Sequence, residues 1–314
     1  MTITSEPTAP LFTVVGATGA QGASTIHALK ASTKAYRIRA ITRDPSKPAA
    51  KKLEDLGCEL VEADIDTKAG ATKAFAGSDY VFGMTLSDYD VNPNEYQKGQ
   101  VQVDAAKAAG VKTFIWSSEL HLGRLSGGKI KVPLFDVKAE VADYARSVGL
   151  NIIEVCPGAF VSSYINHFPP RKQADGSYLI SVPLNSDTKL PPIDVESDFG
   201  RYVVAALETN RTTPVLVASE YITAAEIAEV FSKVSGQNVK FSKAEDEPFR
   251  QRLAAFVGEG RAAHILNMNT AYRTIGYYAQ QDLADSNAIL STPARTFSQS
   301  LEARKDDVLK AMGL

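Results

Sequence analysis

From residue 11 onward, short apolar runs alternate with longer stretches in which apolar side chains return every three or four positions. Residues 11–15 read as a strand halted by Gly16, and residues 20–32 as a helix. Residues 36–42 alternate apolar and polar as a half-buried strand does, 46–56 suit a helix, and 58–61 a third strand. The alternation continues with a helix at 67–76, a strand at 80–82 and a helix at 95–109, whose Val101, Ala105, Ala106 and Ala109 share a face. A strand at 112–116, a helix at 135–147 and a sixth strand at 151–155 follow. Such alternation implies βαβ units, a mostly parallel sheet and, with right-handed crossovers, a doubly wound α/β fold.

After residue 157 the rhythm changes. Pro157, Pro169, Pro170, Pro183, Pro191 and Pro192 interrupt the chain, and short strands are predicted at 178–182, 214–218 and 239–241. Residues 198–207 look helical. Thr223 and Glu226 have capping-box spacing at the head of a helix that runs to Val234 and ends at Gly236. Beyond Pro248 the composition is largely helical. The expected organisation is a disordered tail at 1–10, a first domain at 11–157 and a smaller, partly interleaved α/β lobe at 158–314.

Composition narrows the function classes. With 34 Lys and Arg against 36 Asp and Glu, the chain offers no broad basic field for direct nucleic-acid binding and no polybasic membrane signal. Its two cysteines, Cys58 and Cys156, exclude a disulfide scaffold and suit a reducing compartment. The N-terminus lacks a basic region followed by an apolar run, and no apolar stretch is long enough to span a bilayer. A cytoplasmic protein is expected, with nuclear entry left open. His27, His121, His167 and His264 are scattered, so no metal site is expected. Neither a Gly-x-Ser-x-Gly elbow nor a Gly-x-x-x-x-Gly-Lys-Ser/Thr loop is present.

The strongest chemical signal is Gly16-Ala-Thr-Gly19-Ala-Gln-Gly22, directly after the first strand and opening the first helix. Without a Cβ, glycine lets backbone amides approach a pyrophosphate, and the helix start adds unsatisfied N–H groups and a positive dipole end. The third glycine allows close helix–strand packing. About 20 residues further on, the second strand ends in Thr42-Arg-Asp-Pro45. Arg43 there can pair with a 2′-phosphate, with Lys47 adding charge, whereas Asp44 could instead serve the ribose of NAD. The arginine favours NADP(H).

These segments resemble the NmrA-like family, an atypical branch of the short-chain dehydrogenase/reductase superfamily. The resemblance rests on the glycine motif, Thr42-Arg-Asp-Pro45, Ala50-Lys-Lys-Leu53 with Gly57, and Phe135-Asp-Val-Lys138-Ala-Glu-Val141. Asp175-Gly-Ser-Tyr-Leu179 and the segment from Thr223 to Gly236 extend it through nearly the whole chain. It implies a Rossmann fold and an NADP(H) cofactor. Gly16, Thr18, Gly19, Ala20, Gln21 and Gly22 would line the pyrophosphate, Arg43 the 2′-phosphate, Asp64 and Ile65 the adenine, and Thr85 the inner ribose. Lys138 would bond the nicotinamide ribose, and Gly158, Ala159 and Phe160 would face the nicotinamide.

Superfamily oxidoreductases of the usual kind use Tyr-x-x-x-Lys, with both groups on one helix face. Here Lys138 is present, but position 134 is leucine, which transfers no proton. Ser117, Ser118, Glu119 and His121, after the fifth strand, and Tyr164, after the sixth, are other groups near the expected nicotinamide. Lys138, His121 and Tyr164 are the candidate catalytic residues. The resemblance implies either an NADPH-dependent oxidoreductase of a small organic substrate or a non-catalytic NADP(H) redox sensor that binds a regulatory protein partner such as a transcription factor. The oligomeric state is left open.

Overall fold

Seven parallel strands make the central sheet of the computed structural model, which describes residues 3–87 and 94–314. The first six are β1 (Leu11–Val14), β2 (Arg37–Thr42), β3 (Glu59–Glu62), β4 (Tyr80–Gly83), β5 (Thr113–Ser117) and β6 (Ile152–Pro157). The seventh, Val215–Val217, comes from the second half of the chain and pairs with β6 in the register Val215 to Val155. Across the sheet the order is Val215–Val217, β6, β5, β4, β1, β2, β3. Chain direction across the sheet reverses between β1 and β4, so a crevice opens at the carboxyl ends of those two strands.

The connecting helices are α1 (Ala20–Ala31), α2 (Pro48–Asp55), α3 (Lys68–Phe75), α4 (Asn94–Ala108), the single turn α5 (Leu122–Leu125) and α6 (Pro133–Ser147). Apart from α5, for which no helix was expected, they lie within two residues of the expected spans, because each carries an apolar stripe that needs a face of the sheet to cover it. Helices on both faces explain why β1 and β5 are buried along their whole length. Alternating side chains feed two separate cores. Phe12, Val14, Phe82 and Ile115 join one of them. Val15, Val81, Phe114 and Trp116 join the other.

Residues beyond 157 therefore complete the first domain as well as forming a lobe of their own. The helix Gly200–Glu208 packs on α1, where Gly200 N–H donates to Ser24 Oγ at 2.9 Å. A Cβ on Gly200 would lie 2.1 Å from the Ser24 carbonyl oxygen, so only glycine permits that approach. This helix starts later than the expected residue 198, because a π-helical turn, Val195–Phe199, precedes it. In the lobe the helix Ala224–Ser235 has the capping box, and Gly236 ends it at φ +71°. A third apolar cluster, with Phe231, Tyr278, Phe297 and Leu301, holds the lobe together.

The chain ahead of β1 differs from the expected loose tail. Ile3 bridges to Tyr36, Thr4 N–H donates to the Tyr36 carbonyl at 3.0 Å, and Arg37 Nε donates to the Ala9 carbonyl at 2.9 Å. The start of β2, ahead of Arg39 where pairing with β3 begins, gives this polar, Pro-containing stretch backbone partners that its composition does not advertise. Met1 and Thr2 lie outside the described residues. Among the described residues no helix is long and apolar enough to cross a membrane.

Candidate functional site

All seven strands are parallel, so every strand-to-helix turn opens on one edge. Gly16, Arg43, Asp64, Thr85, Glu119 and Gly158 each follow the end of β1, β2, β3, β4, β5 or β6 by one or two residues. They were expected from sequence separately. The topology places them in one row.

The glycine turn has the form its chemistry requires. Gly16 takes φ +63°, a conformation that disfavours side chains. Gly19 N–H donates to the Gly16 carbonyl at 2.9 Å, and a Cβ on Gly19 would sit 3.3 Å from that oxygen. Gly22 serves packing instead. Its Cβ would fall 2.3 Å from the same oxygen and 2.8 Å from Ala17 Cα, so it sets the closeness of α1 to β1. No side chain caps the N-terminus of α1, which starts at Ala20, and Gln21 Oε1 is buried without a hydrogen-bond partner among the described residues. Open amides and a bare turn form a seat that fits a diphosphate.

Along the β2–β3 arm, Arg43 is exposed and makes no hydrogen bond or ion pair among the described residues. Asp44 does not pair with it. Its Oδ1 accepts from Ser46 N–H at 2.9 Å and Ser46 Oγ at 2.6 Å, which pulls its carboxyl below the usual range. Asp64 is also exposed, with Oδ1 accepting from Asp66 N–H at 3.2 Å, and Ile65 packs at the margin of the core. This arm offers a guanidinium with nothing else to hold.

The β4–β6 arm is built from buried ions. Lys138, on α6, is 9% exposed, and Glu95, at the start of α4, is 4% exposed. Lys138 Nζ donates to Glu95 Oε1 at 2.6 Å, to Thr85 Oγ1 at 3.1 Å and to the Thr85 carbonyl at 3.0 Å. Thr85 Oγ1 donates in turn to Glu95 Oε1 at 2.8 Å. An ammonium has three N–H donors, so all three are spent here, and a bond to a ribose needs one acceptor to be exchanged. Trp116 Nε1 fixes the backbone of α6 by donating to the Lys138 carbonyl at 3.0 Å. Leu134, one turn before Lys138, is buried in the apolar cluster with Leu120, Leu122 and Phe135. Gly158 meets the neighbouring backbone closely, since a Cβ there would lie 2.1 Å from the Pro191 oxygen. Ala159 and Phe160 form β7 (Ala159–Phe160), paired with Pro192–Ile193.

Neither of the other two catalytic candidates bonds to Lys138 among the described residues. His121 caps α5, its Nδ1 accepting from Arg124 N–H at 3.2 Å. That nitrogen lies 3.0 Å from Asp136 Oδ1, and Nε2 lies 3.5 Å from Glu140 Oε1. Positions 136 and 140 project roughly 200° around α6 from position 138, so His121 and Lys138 engage opposite faces of that helix. Tyr164, on α7 (Val161–Asn166), packs edge-on against Phe297 at 5.3 Å. Burial raises its hydroxyl pKa, and no neighbouring cation pulls it down. Ser118 donates to Glu154 Oε2 at 2.8 Å, a carboxylate also paired with Arg146.

Glu119 is the conspicuous group of this arm. It is 8% exposed, and its Oε2 has no hydrogen-bond partner among the described residues. Burial drives its carboxyl well above the usual carboxylate range, with Lys138 pulling the other way. Tyr277 and Tyr278 feel its charge, and their hydroxyls donate to the carbonyls of Pro157 at 3.2 Å and Cys156 at 2.7 Å. Sequence reasoning missed Glu95, Tyr277 and Tyr278. Glu95 reads as an ordinary acid in a helical first turn, and the two tyrosines lie in a helical tail with no motif of their own.

Comparison with known proteins agrees with this architecture. The chain is 30% identical over 327 residues to the NmrA-like family domain-containing oxidoreductase ptmS of Penicillium ochrochloron, covering 97% of this chain and 96% of that protein. Among solved structures it superposes on NmrA, a negative transcriptional regulator in complex with NAD, with TM-score 0.83 at 20% identity and 98% of each chain covered. The NADPH-dependent quinone oxidoreductase QOR2 of Escherichia coli, complexed with NADPH, gives TM-score 0.75 at 20% identity, over 93% of this chain and 99% of that one. These identities to solved structures establish the fold. With the NmrA-like family model matching residues 9–307 as well, the chain belongs to the NmrA-like family.

Proposed function

We propose that this protein is an NADP(H)-dependent oxidoreductase acting on a small organic substrate. The observation that carries the reading is the shared edge: the uncapped start of α1 and the Lys138 ammonium lie at the carboxyl ends of one parallel sheet. The Penicillium ochrochloron relative is named an oxidoreductase, and the structural neighbours are complexed with NAD or NADPH, which supports a nicotinamide dinucleotide.

When bound, that dinucleotide supplies a hydride at the nicotinamide. The chain's own residues do the rest. Backbone amides at the start of α1 hold the diphosphate, and Gly16 and Gly19 leave room for it. Arg43, uncommitted, supplies the pair for a 2′-phosphate, while Asp44 is occupied by Ser46. Lys138 orients the ribose by exchanging a Thr85 acceptor, and the bond to Glu95 holds the ammonium in place through the exchange.

A second reading, a redox sensor that contacts a regulatory protein without turnover, draws on Leu134 and on the fully spent donors of Lys138. A dinucleotide shifts such a sensor only by binding its two states unequally. Calorimetric titration with NADPH and NADH, followed by NADPH consumption across a panel of aldehydes, ketones, enones and imines, separates the readings. Tighter binding of NADPH and consumption with at least one compound is the expected result. Binding without consumption favours the sensor, and absence of binding overturns both.

A further inference from the structure

A protein that moves a hydride onto a C=O or C=N bond needs a proton for the heteroatom, and the usual tyrosine position holds Leu134. Several other groups near the carboxyl ends of β5 and β6 could give one. Tyr277 and Tyr278 already donate to Pro157 and Cys156, and Ser118 to Glu154. His121 faces Asp136 and Glu140 across α6. Tyr164 packs on Phe297. Glu119 is the exception: it is more than nine-tenths buried, follows β5 directly, and has a carboxyl oxygen with no partner among the described residues.

We propose that Glu119 is the proton donor of this site, serving a neutral carbonyl or imine whose apolar or aromatic body lies against the rings of Phe135, Tyr272 and Tyr277. The inference rests on the oxidoreductase reading above. A buried charge without a partner is costly, so Glu119 remains the neutral acid, and its burial and the direction of its shift agree. As a neutral acid it carries an O–H with no acceptor among the described residues, which is the state a proton donor needs before substrate arrives. Tyr277, which neighbours Glu119, belongs to an aromatic cluster: it and the buried Phe135 lie 5.3 Å apart edge to face, and the half-buried Tyr272 stacks on it at 4.7 Å.

The step balances without a further reagent. Hydride, with its electron pair, adds to the carbon of C=X, the π pair moves to X, and X takes the carboxyl proton of Glu119. The dinucleotide is oxidised and the substrate reduced. The new carboxylate is stabilised by Lys138, which already acts on Glu119. Water then returns the proton, so the net reaction consumes one proton from solvent.

The test uses the full chain with NADPH and with 4-nitrobenzaldehyde as the probe, an aromatic carbonyl matched to these rings. Infrared difference spectra of E119Q against wild type, without cofactor at neutral pH, should show the protonated-carboxyl band of wild type missing in the variant. Reduction of the probe should fall about 100-fold or more in E119Q at unchanged NADPH affinity. E119D, which keeps a transferable proton, should recover part of the rate and serves as the folding control. An ionised Glu119 at neutral pH, or equal rates in wild type and E119Q, overturns the assignment and leaves the oxidoreductase reading standing. NADPH binding with no reduction of the probe overturns the carbonyl assignment, and failure of the whole carbonyl and imine panel overturns the oxidoreductase reading with it.

Discussion

The two arms of the sheet's carboxyl edge are built by different means. On the β1–β3 arm the work falls to backbone: a bare glycine turn, an uncapped helix start and one exposed, unengaged arginine. On the β4–β6 arm it falls to buried side chains, with Lys138 reaching back 43 residues to Glu95 and 53 to Thr85. The first arm can hold a charged ligand at little cost to folding, because its groups stay hydrated until the ligand arrives. The second has removed two opposite charges from water, which is tolerable only while each has the other. Function on the first arm is thus separable from stability, and on the second it is not.

The sharpest way to break that comparison is to remove one charge from the buried pair. Lys138→Met or Glu95→Gln alone should cost about 3–5 kcal/mol, read from urea unfolding, because the charge that remains stays buried after losing the opposite charge at 2.6 Å. The double variant should recover much of that loss, since no charge is then stranded. Equal stabilities for the single variants and wild type would mean that water reaches the pair, and the contrast between the arms would fall.

Arg43→Ala probes the other arm and should behave in the opposite way. NADPH affinity should drop by up to about 1.5–3 kcal/mol, the value of a lost hydrogen bond between charged groups, with little change for NADH. The unfolding midpoint should stay where it is, because Arg43 is exposed and makes no hydrogen bond or ion pair among the described residues. Parallel losses for both dinucleotides would take Arg43 away from the 2′-phosphate.

The same contrast decides what was legible in the sequence. The first six strands and their helices could be read because each announces itself locally, by apolar period and by a turn residue. The glycine motif could be read for the same reason: Gly16 takes its positive φ within the turn itself, and Gly22 is demanded by Gly16 and Ala17, only a few residues away. The strand at 215–217 was visible as a strand, but its place beside β6 was not, since Val215 pairs with Val155 across a long intervening lobe. Glu95 was invisible because nothing within α4 tells a buried acid from a solvated one, and the lysine it pairs with stands on another helix. The interleaving expected beyond residue 157 rests on the same kind of long-range contact, as Gly200 on α1 and the strand at 215–217 both cross that position.

His121→Ala should produce the smallest effect, and it tests whether the β4–β6 arm stops at α6. The imidazole caps the one-turn α5 and lies between Asp136 and Glu140, on the face of α6 away from Lys138. Loss of a cap of this kind costs about 0.5–1 kcal/mol, so the unfolding midpoint should shift slightly. Turnover should remain within about tenfold of wild type, below the roughly 100-fold that losing a proton-transfer group entails. Asp136 itself ties α5 to the first turn of α6, its carboxylate accepting from Gly123 N–H at 2.9 Å and Val132 N–H at 3.1 Å. Those two bonds survive the substitution, so α6 keeps its start and Lys138 its position. A collapse of turnover with the midpoint intact would instead put the imidazole on the substrate side of α6, and two faces of one helix would then serve a single reaction.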